Sequence, residues 1–451
     1  MKRTIDMTEG PIVRPLITFM LPLIGTSIFQ QLYNTVDFLF VGNLLDRTAA
    51  AAVGASSTLI TCMIGLFSGI SVGTVVVAAQ AVGAGEQKRA EQAVHASVTF
   101  GLAGGAVVTI LGILLAPWIL VLLRTPETVL SQAVTYMRIY LISVPMMIFY
   151  NMISGGMRAC GDSGTPFRIL VICGIVNVLM DAVFIIWIPL GVTGVAVATA
   201  VSQTLSALLA ALLAARPGTL IRFSPQKLGF YPDTLGAVMR IGLPTGIQTI
   251  IITFSNIMVQ YHINDFGELA VAAFTTYYKV ESLIYLPILA FGQASTTFAG
   301  QNTGAGRFFR VRRGTVMTAA IGVGVVACIA GAILLFPRTV FGWFMKDQDV
   351  VTCALTIARV SFPFYWIYPL LEVLGGAVRG MGYALRSMVV IICNLCVVRV
   401  GLLAVFSRVF HTIPSLGAVY PITWATAAIC FAVVFWRIIL RKCDDEQKKL
   451  L

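Results

Sequence analysis

The sequence predicts an all-α membrane protein with twelve transmembrane helices in two parallel-related six-helix bundles. Three observations predict it. Hydrophobic residues fill 58% of the 451 positions and charged residues only 11%, whereas a soluble chain is about a quarter charged; mean hydropathy is +0.90. Apolar segments of about 20 residues, the length that crosses a bilayer, occur twelve times. The chain also repeats itself at an offset near 221 residues.

The segments centre near residues 29, 65, 105, 142, 175 and 203, then 250, 285, 324, 363, 397 and 429. The loops between them assign sides. Alternate loops carry Lys88 and Arg89, then Arg158 and Arg168, then Arg222, Lys227 and Arg240, then Arg307, Arg310, Arg312 and Arg313, then Arg379 and Arg386. The intervening loops hold only Arg47, Arg124, Arg338, Lys346 and Arg408. Basic residues mark the cytoplasmic side, so both termini are expected in the cytoplasm of a multi-pass protein of the cytoplasmic membrane. The net charge of +12 then meets anionic lipid rather than nucleic acid. The start Met1-Lys2-Arg3 leads through polar residues into a full-length span, unlike a cleavable signal peptide.

The repeat is carried by specific residues. Gln80-Ala-Val-Gly-Ala-Gly85 returns as Gln301-Asn-Thr-Gly-Ala-Gly306, and Arg158-Ala-Cys-Gly161 returns as Arg379-Gly-Met-Gly382. Leu21-Pro22 returns as Leu243-Pro244, and Arg138 as Arg359. Six spans per half make both halves enter from the same side, the parallel arrangement in which a substrate path runs between rocking halves. The expected division is a first bundle over 1–215, a cytoplasmic linker over 216–235, a second bundle over 236–440 and a tail over 441–451. Pro22, Pro145, Pro244, Pro287 and Pro363 lie within spans and remove backbone hydrogen bonds; Pro22 is the hinge candidate.

Polar groups inside the spans carry the functional expectation. A carboxylate in hydrocarbon costs several kcal/mol unless it faces a cavity or a partner. Asp37 shares a helical face with Asn34 and Gln30, and Asp181 shares one with Asn177. Both lie a few residues from the outer end of their spans, so they sit at similar depth. A carboxylate so placed can load and release a proton, and a neighbouring amide can help ligate Na+. Thr199 follows Gly191 and Gly194, which permit close backbone approach. Gln30, Gln31, Tyr33, Met146, Tyr150, Gln248, Tyr278 and Glu281 are candidates for a substrate path, aromatic faces being suited to flat cations. The second half differs in charge, with Lys279, Glu281, Arg359, Glu372 and Arg399 inside spans; charge pairs among these are expected, with partners open. The cysteines form no disulfide framework. Those in apolar segments, Cys62, Cys173, Cys328 and Cys430, are expected as small buried hydrophobes. Cys393 and Cys396 make a C-x-x-C within a span, without further metal ligands. No cofactor or metal is expected beyond the coupling ion.

At Leu21-Pro22, Gln31-Leu-Tyr33-Asn34-Thr-Val-Asp37, Val41-Gly42, Ala51-Ala52-Val53-Gly54, Asn177…Asp181 and Gly191-Val-Thr-Gly194…Thr199, the chain resembles the MATE (multidrug and toxic compound extrusion) family. It is most similar to the bacterial branch that includes the staphylococcal multidrug exporter. The likeness covers essentially the whole chain. It implies a MATE-type fold and an antiporter that exports organic cations in exchange for H+ or Na+, working as a monomer. It also implies an ion site at Asp37, Asn177, Asp181 and Thr199. Another branch carries a glutamate in the seventh helix after Gly-Leu-Pro. Here Gly242-Leu-Pro244 is followed by Thr245, Gln248, Thr249 and Thr253, so coupling is expected at Asp37 and Asp181. Two other functions remain open: a flippase for lipid-linked precursors, for which Arg138, Arg359 and Arg399 speak, and an exporter of a non-cationic metabolite. An enzyme is not expected, because no cluster supplies a metal site or an activated nucleophile.

Overall fold

The computed structural model describes residues 4–450; Met1-Lys2-Arg3 lie outside the described residues, as do the side chains of Arg47 and Cys62. Among the described residues, twelve helices are long and apolar enough to span a membrane. They are α1 (Val13–Leu44), α2 (Arg47–Gly83), α3 (Gln87–Leu122), α4 (Glu127–Ala159), α5 (Gly164–Trp187), α6 (Val192–Ala214), α7 (Pro232–Asn264), α8 (Glu268–Gly304), α9 (Phe308–Leu335), α10 (Gln348–Gly380), α11 (Ala384–Val409) and α12 (Ile413–Leu450). Large apolar side chains such as Leu114, Trp118, Leu122, Trp187 and Leu212 point outward. In a bilayer such side chains meet lipid, while the backbone is satisfied within each helix.

The repeated sequence motifs are helix ends. Gly85, Gly161, Gly306 and Gly382 all have positive φ, between 71° and 92°, the left-handed conformation that ends a helix and favours glycine. They terminate α2, α4, α8 and α10. At Gly161 a Cβ would also lie 2.2 Å from the Ile5 carbonyl oxygen. Starts are fixed by aspartates. Asp46 accepts the Ala49 N–H at 2.7 Å, and Asp347 accepts from Asp349 and Val350.

Packing divides the chain into two units. One joins Leu21–Gly246 to the short stretch ending at Asp6; the other joins Met7–Met20 to the chain from Ile247 onward. The division between these units therefore falls inside α1 and α7, within a few residues of the repeat-related Pro22 and Pro244. The reason is hydrogen bonding outside the spans. In the first unit, Ser224 N–H donates to His95 Nε2 at 3.0 Å, Gly229 N–H to Thr99 Oγ1 at 3.0 Å, and Lys227 pairs with Glu91 at 2.7 Å. Phe223 stacks on the His95 ring. The linker is thus strapped along the start of α3. In the second unit, Met7 N–H donates to Gln301 Oε1 at 3.2 Å, and Asn302 and Arg310 donate to the Met7 carbonyl. Arg307 pairs with Glu9. The Gln301-Asn302 end of the second repeated motif is therefore a cradle for the strand of chain that precedes α1.

His95 is 1% exposed, and its Nδ1 contacts the Glu91 carbonyl at 2.7 Å, so its other nitrogen is the acceptor the Ser224 amide needs. His95→Ala is expected to speed hydrogen exchange of the Ser224 amide about three- to tenfold, the scale of one lost hydrogen bond. Unchanged exchange would show that the strap is held elsewhere.

Cys173 is buried, as expected, but Cys328 and Cys430 are exposed, so they are outward-facing apolar positions rather than packed ones. Cys393 is exposed, and Cys396 Sγ contacts the Ile251 carbonyl at 3.3 Å.

Candidate functional site

The two aspartates meet because α1 and α5 pack through glycine. The Phe167 ring covers Gly25, where a Cβ would lie 2.9 Å from it, and the Phe29 ring covers Gly174, where a Cβ would lie 2.5 Å away. Absent side chains let the helices approach closely. From Phe29 and Gly174, about two turns along each helix lead to Asp37 and Asp181. The two carboxyls are close enough to act on one another electrostatically. Just beyond Asp181 the helix widens into a π turn at Val183–Trp187, a distortion frequent at functional sites. Gly191 then turns the chain with φ 59°, and Gly194 packs against Phe184, which brings α6 alongside.

A cavity of about 390 Å³ opens at this place. It is lined by Tyr33, Asn34 and Asp37 from α1, Gly54 and Ile60 from α2, Tyr136 and Tyr140 from α4, and Thr199 from α6. Asn177 and Asp181 are buried beside it, at 1% and 0% exposure. Asp37 Oδ1, both Asp181 oxygens and both polar atoms of Asn177 are buried and have no hydrogen-bond partner. Native interiors rarely leave such atoms unsatisfied. Two adjacent carboxyls share a hydrogen bond when one holds a proton. When neither does, their oxygens are the hard ligands that cations such as Na+ take, and Asn177, about one turn before Asp181 on α5, adds an amide carbonyl. Thr199 donates its own proton to the Val195 carbonyl at 3.0 Å, which leaves its oxygen as a further acceptor. The donor set therefore fits either H+ or Na+.

The other sequence candidates are placed differently. Gln30 and Gln31 are exposed and outside the cavity lining; the i,i+3/i+4 face is wide, and only its Asn34–Asp37 edge turns inward. Met146 does not line the cavity, and Tyr150 donates to the Pro166 carbonyl at 3.1 Å, a tie between α4 and α5. Gln248 is buried on α7 with an unpartnered Oε1. Pro22 lies inside an unbroken α1. Tyr136 and Tyr140 were not among the candidates. Their signal was an aromatic i,i+4 pair, which on an apolar helix reads equally as core.

The second unit holds its own cavity of about 380 Å³, lined among others by Asn256, Tyr278, Glu281, Glu372, Arg399 and Tyr420. Here the open charge pairs are resolved. Tyr365 donates to Glu281 at 2.6 Å, and Glu372 pairs with Arg379 at 3.7 Å. Lys279 and Arg359 are exposed and join neither. Arg379 had been placed in a basic loop; it lies in the last turn of α10, one face of which also carries Glu372.

The MatE family description matches the chain twice, over residues 22–183 and 244–405, in the register of the sequence repeat. The chain is 29% identical over 410 residues to the probable multidrug resistance protein YpnP of Bacillus subtilis (strain 168), covering 89% of this chain and 90% of that protein. It is 21% identical over 355 residues to the multidrug export protein MepA of Staphylococcus aureus (strain MSSA476), covering 78% of each. A crystal structure of MATE in the bent conformation superposes with a TM-score of 0.92 at 21% identity, over 99% of both chains. An outward-facing multidrug resistance MATE family transporter of the MOP superfamily gives the same TM-score and identity, over 98% of this chain and 99% of that one. With one family match in each half and twelve apolar helices, this chain is a multi-pass membrane protein that belongs to the MatE family.

Proposed function

We propose that the protein is a cation-coupled antiporter that exports organic cations from the cytoplasm by alternating access, with H+ or Na+ held at Asp37 and Asp181. The observation that carries this is the pair Asp37 and Asp181 at a tyrosine-lined cavity, with one Asp37 oxygen and both Asp181 oxygens buried without a donor. A buried anion without a partner is costly enough that a site keeping two of them is a site for a positive charge. The names of the relatives, multidrug resistance and export proteins, support export as the activity. The charge asymmetry of the loops supports cytoplasmic termini in the cytoplasmic membrane.

In this cycle Asp37 and Asp181 accept the ion from outside, and the polar atoms of Asn177 are satisfied with them. Binding draws α1 toward α5 and lowers the affinity of the path for substrate. Inward opening returns the carboxyls to the cytoplasm, where the ion leaves as new substrate enters. Coupling needs only that ion and substrate favour opposite states. A flippase for an anionic lipid carrier draws less support: Arg138 and Arg359 are exposed, and Arg138 is held by the Ile113 carbonyl.

The test is uptake of a fluorescent organic cation into inside-out proteoliposomes with either an acid lumen or a Na+-rich lumen. Uptake under one gradient, collapsed by the matching ionophore, is expected and names the ion. Folded protein that moves no cation under either gradient would favour the lipid-linked or non-cationic substrate.

A further inference from the structure

The register of the two family matches pairs Asn34 with Asn256 and Asn177 with Arg399. Asn34 and Asn256 each line the cavity of their own half. The second cavity is thus the repeat counterpart of the first, with a guanidinium where the first has the buried amide, and Val259 where it has Asp37. We propose that this second cavity is an anion-recognising site, in which Arg399 binds the carboxylate of an aromatic organic acid.

Three observations carry the assignment. Arg399 lines the cavity and is only 5% exposed. Its Nε is buried without a hydrogen-bond partner, its Nη1 reaches only the Asn256 Oδ1 at 3.5 Å, and its guanidinium lies over the Tyr420 ring at 5.3 Å. No carboxylate oxygen of the described residues lies within 4 Å of it. Two carboxylates share the cavity: Glu372 is paired with Arg379, and Glu281, which accepts from the neutral Tyr365, balances the charge of Arg399 without touching its guanidinium. A buried arginine held by one long contact is expensive, and its planar fork is matched to a carboxylate. Most of the remaining lining is aromatic, with Ile252, Gln260 and Leu395 beside it. Tyr278 and Tyr420 join hydroxyls at 2.8 Å, Tyr285 stacks on Tyr368, and Trp424 packs against Tyr365 and Tyr368. A carboxylate at Arg399 with a flat ring system among these side chains satisfies both parts. The volume falls within the range of about 300–1,000 Å³ typical of small-molecule pockets.

The experiment titrates purified full-length protein in nanodiscs with 2-naphthoate and with 2-naphthamide, an uncharged molecule of nearly the same shape, by equilibrium dialysis. Saturable naphthoate binding is expected, with naphthamide about tenfold or more weaker, the scale of a lost charge-assisted hydrogen bond. Arg399→Gln is expected to reduce naphthoate affinity by a similar factor and to leave naphthamide unchanged; Arg399→Lys is expected to retain part of the preference. Equal binding of the two molecules, or no saturable naphthoate binding, overturns the proposal on the wild-type protein alone, whatever the variants do. Naphthoate binding equally tight to folded Arg399→Gln overturns it too, by moving the anion elsewhere.

Discussion

Asp181→Asn is expected to abolish gradient-driven export of an organic cation, down to the level of empty liposomes, while leaving the protein folded. The two halves of this expectation have one cause. Both oxygens of Asp181 are buried at a residue of zero exposure, and neither receives a hydrogen bond. Replacing the carboxylate by an amide of the same shape therefore removes no existing contact and relieves the burial of a charge. Stability should be unchanged or higher, as is common where a site has been kept for activity. Transport should fail because an amide neither takes up a proton nor contributes charge to a bound cation. Asp37→Asn is expected to behave alike, since Asp37 is the neighbour with which Asp181 interacts directly. Wild-type flux in either variant would mean that coupling resides elsewhere. A large fall in melting temperature would mean that the carboxyls tie helices together.

Gly69→Leu is expected to give the largest loss of stability. Gly69 and Gly73 on α2 face Gly242 and Gly246 on α7, all within the first unit. A Cβ at Gly69 would lie 2.1 Å from the Gly246 amide nitrogen and 2.3 Å from its Cα, and one at Gly73 would lie 2.4 Å from the Val238 carbonyl oxygen. These are backbone atoms, so no side chain can turn aside, and the helices must separate. Overpacking of this kind costs about 1–3 kcal/mol and sometimes more. Gly324 is the control, with open space around its Cα. Gly324→Ala should be neutral or slightly stabilising, because alanine suits a helix interior better than glycine. Thermal unfolding in detergent separates the two; equal melting temperatures for Gly69→Leu and wild type would contradict the packing.

Much of this was legible in the sequence. The twelve spans follow from hydropathy because a bilayer imposes length and apolarity on each one. The Asn34–Asp37 edge and the Asp181 position follow from helical spacing and depth. Glycine at repeated positions marked the helix ends, where positive φ is required. What spacing does not give is the rotation of each helix about its axis. Hence Gln30 shares the face of Asn34 and Asp37 by spacing and yet is outside the cavity lining. Hence also Tyr136 and Tyr140 went unseen, and Glu372 was left without Arg379. The connection over 216–235 is a separate case. It is polar and basic, yet its Ser224 and Gly229 amides are bound by His95 and Thr99, and polarity alone says nothing about partners.

The most direct measurement is the affinity of purified protein for tetraphenylphosphonium as pH and Na+ are varied separately, in wild type and in the Asp37→Asn/Asp181→Asn double variant. Linkage requires that an ion sharing the transport cycle changes substrate affinity, typically about 5- to 150-fold. The wild type is expected to bind the organic cation more weakly as one of the two ions rises, and the double variant to bind it with an affinity indifferent to both. The same ion dependence in the double variant would contradict the assignment of coupling to this carboxyl pair.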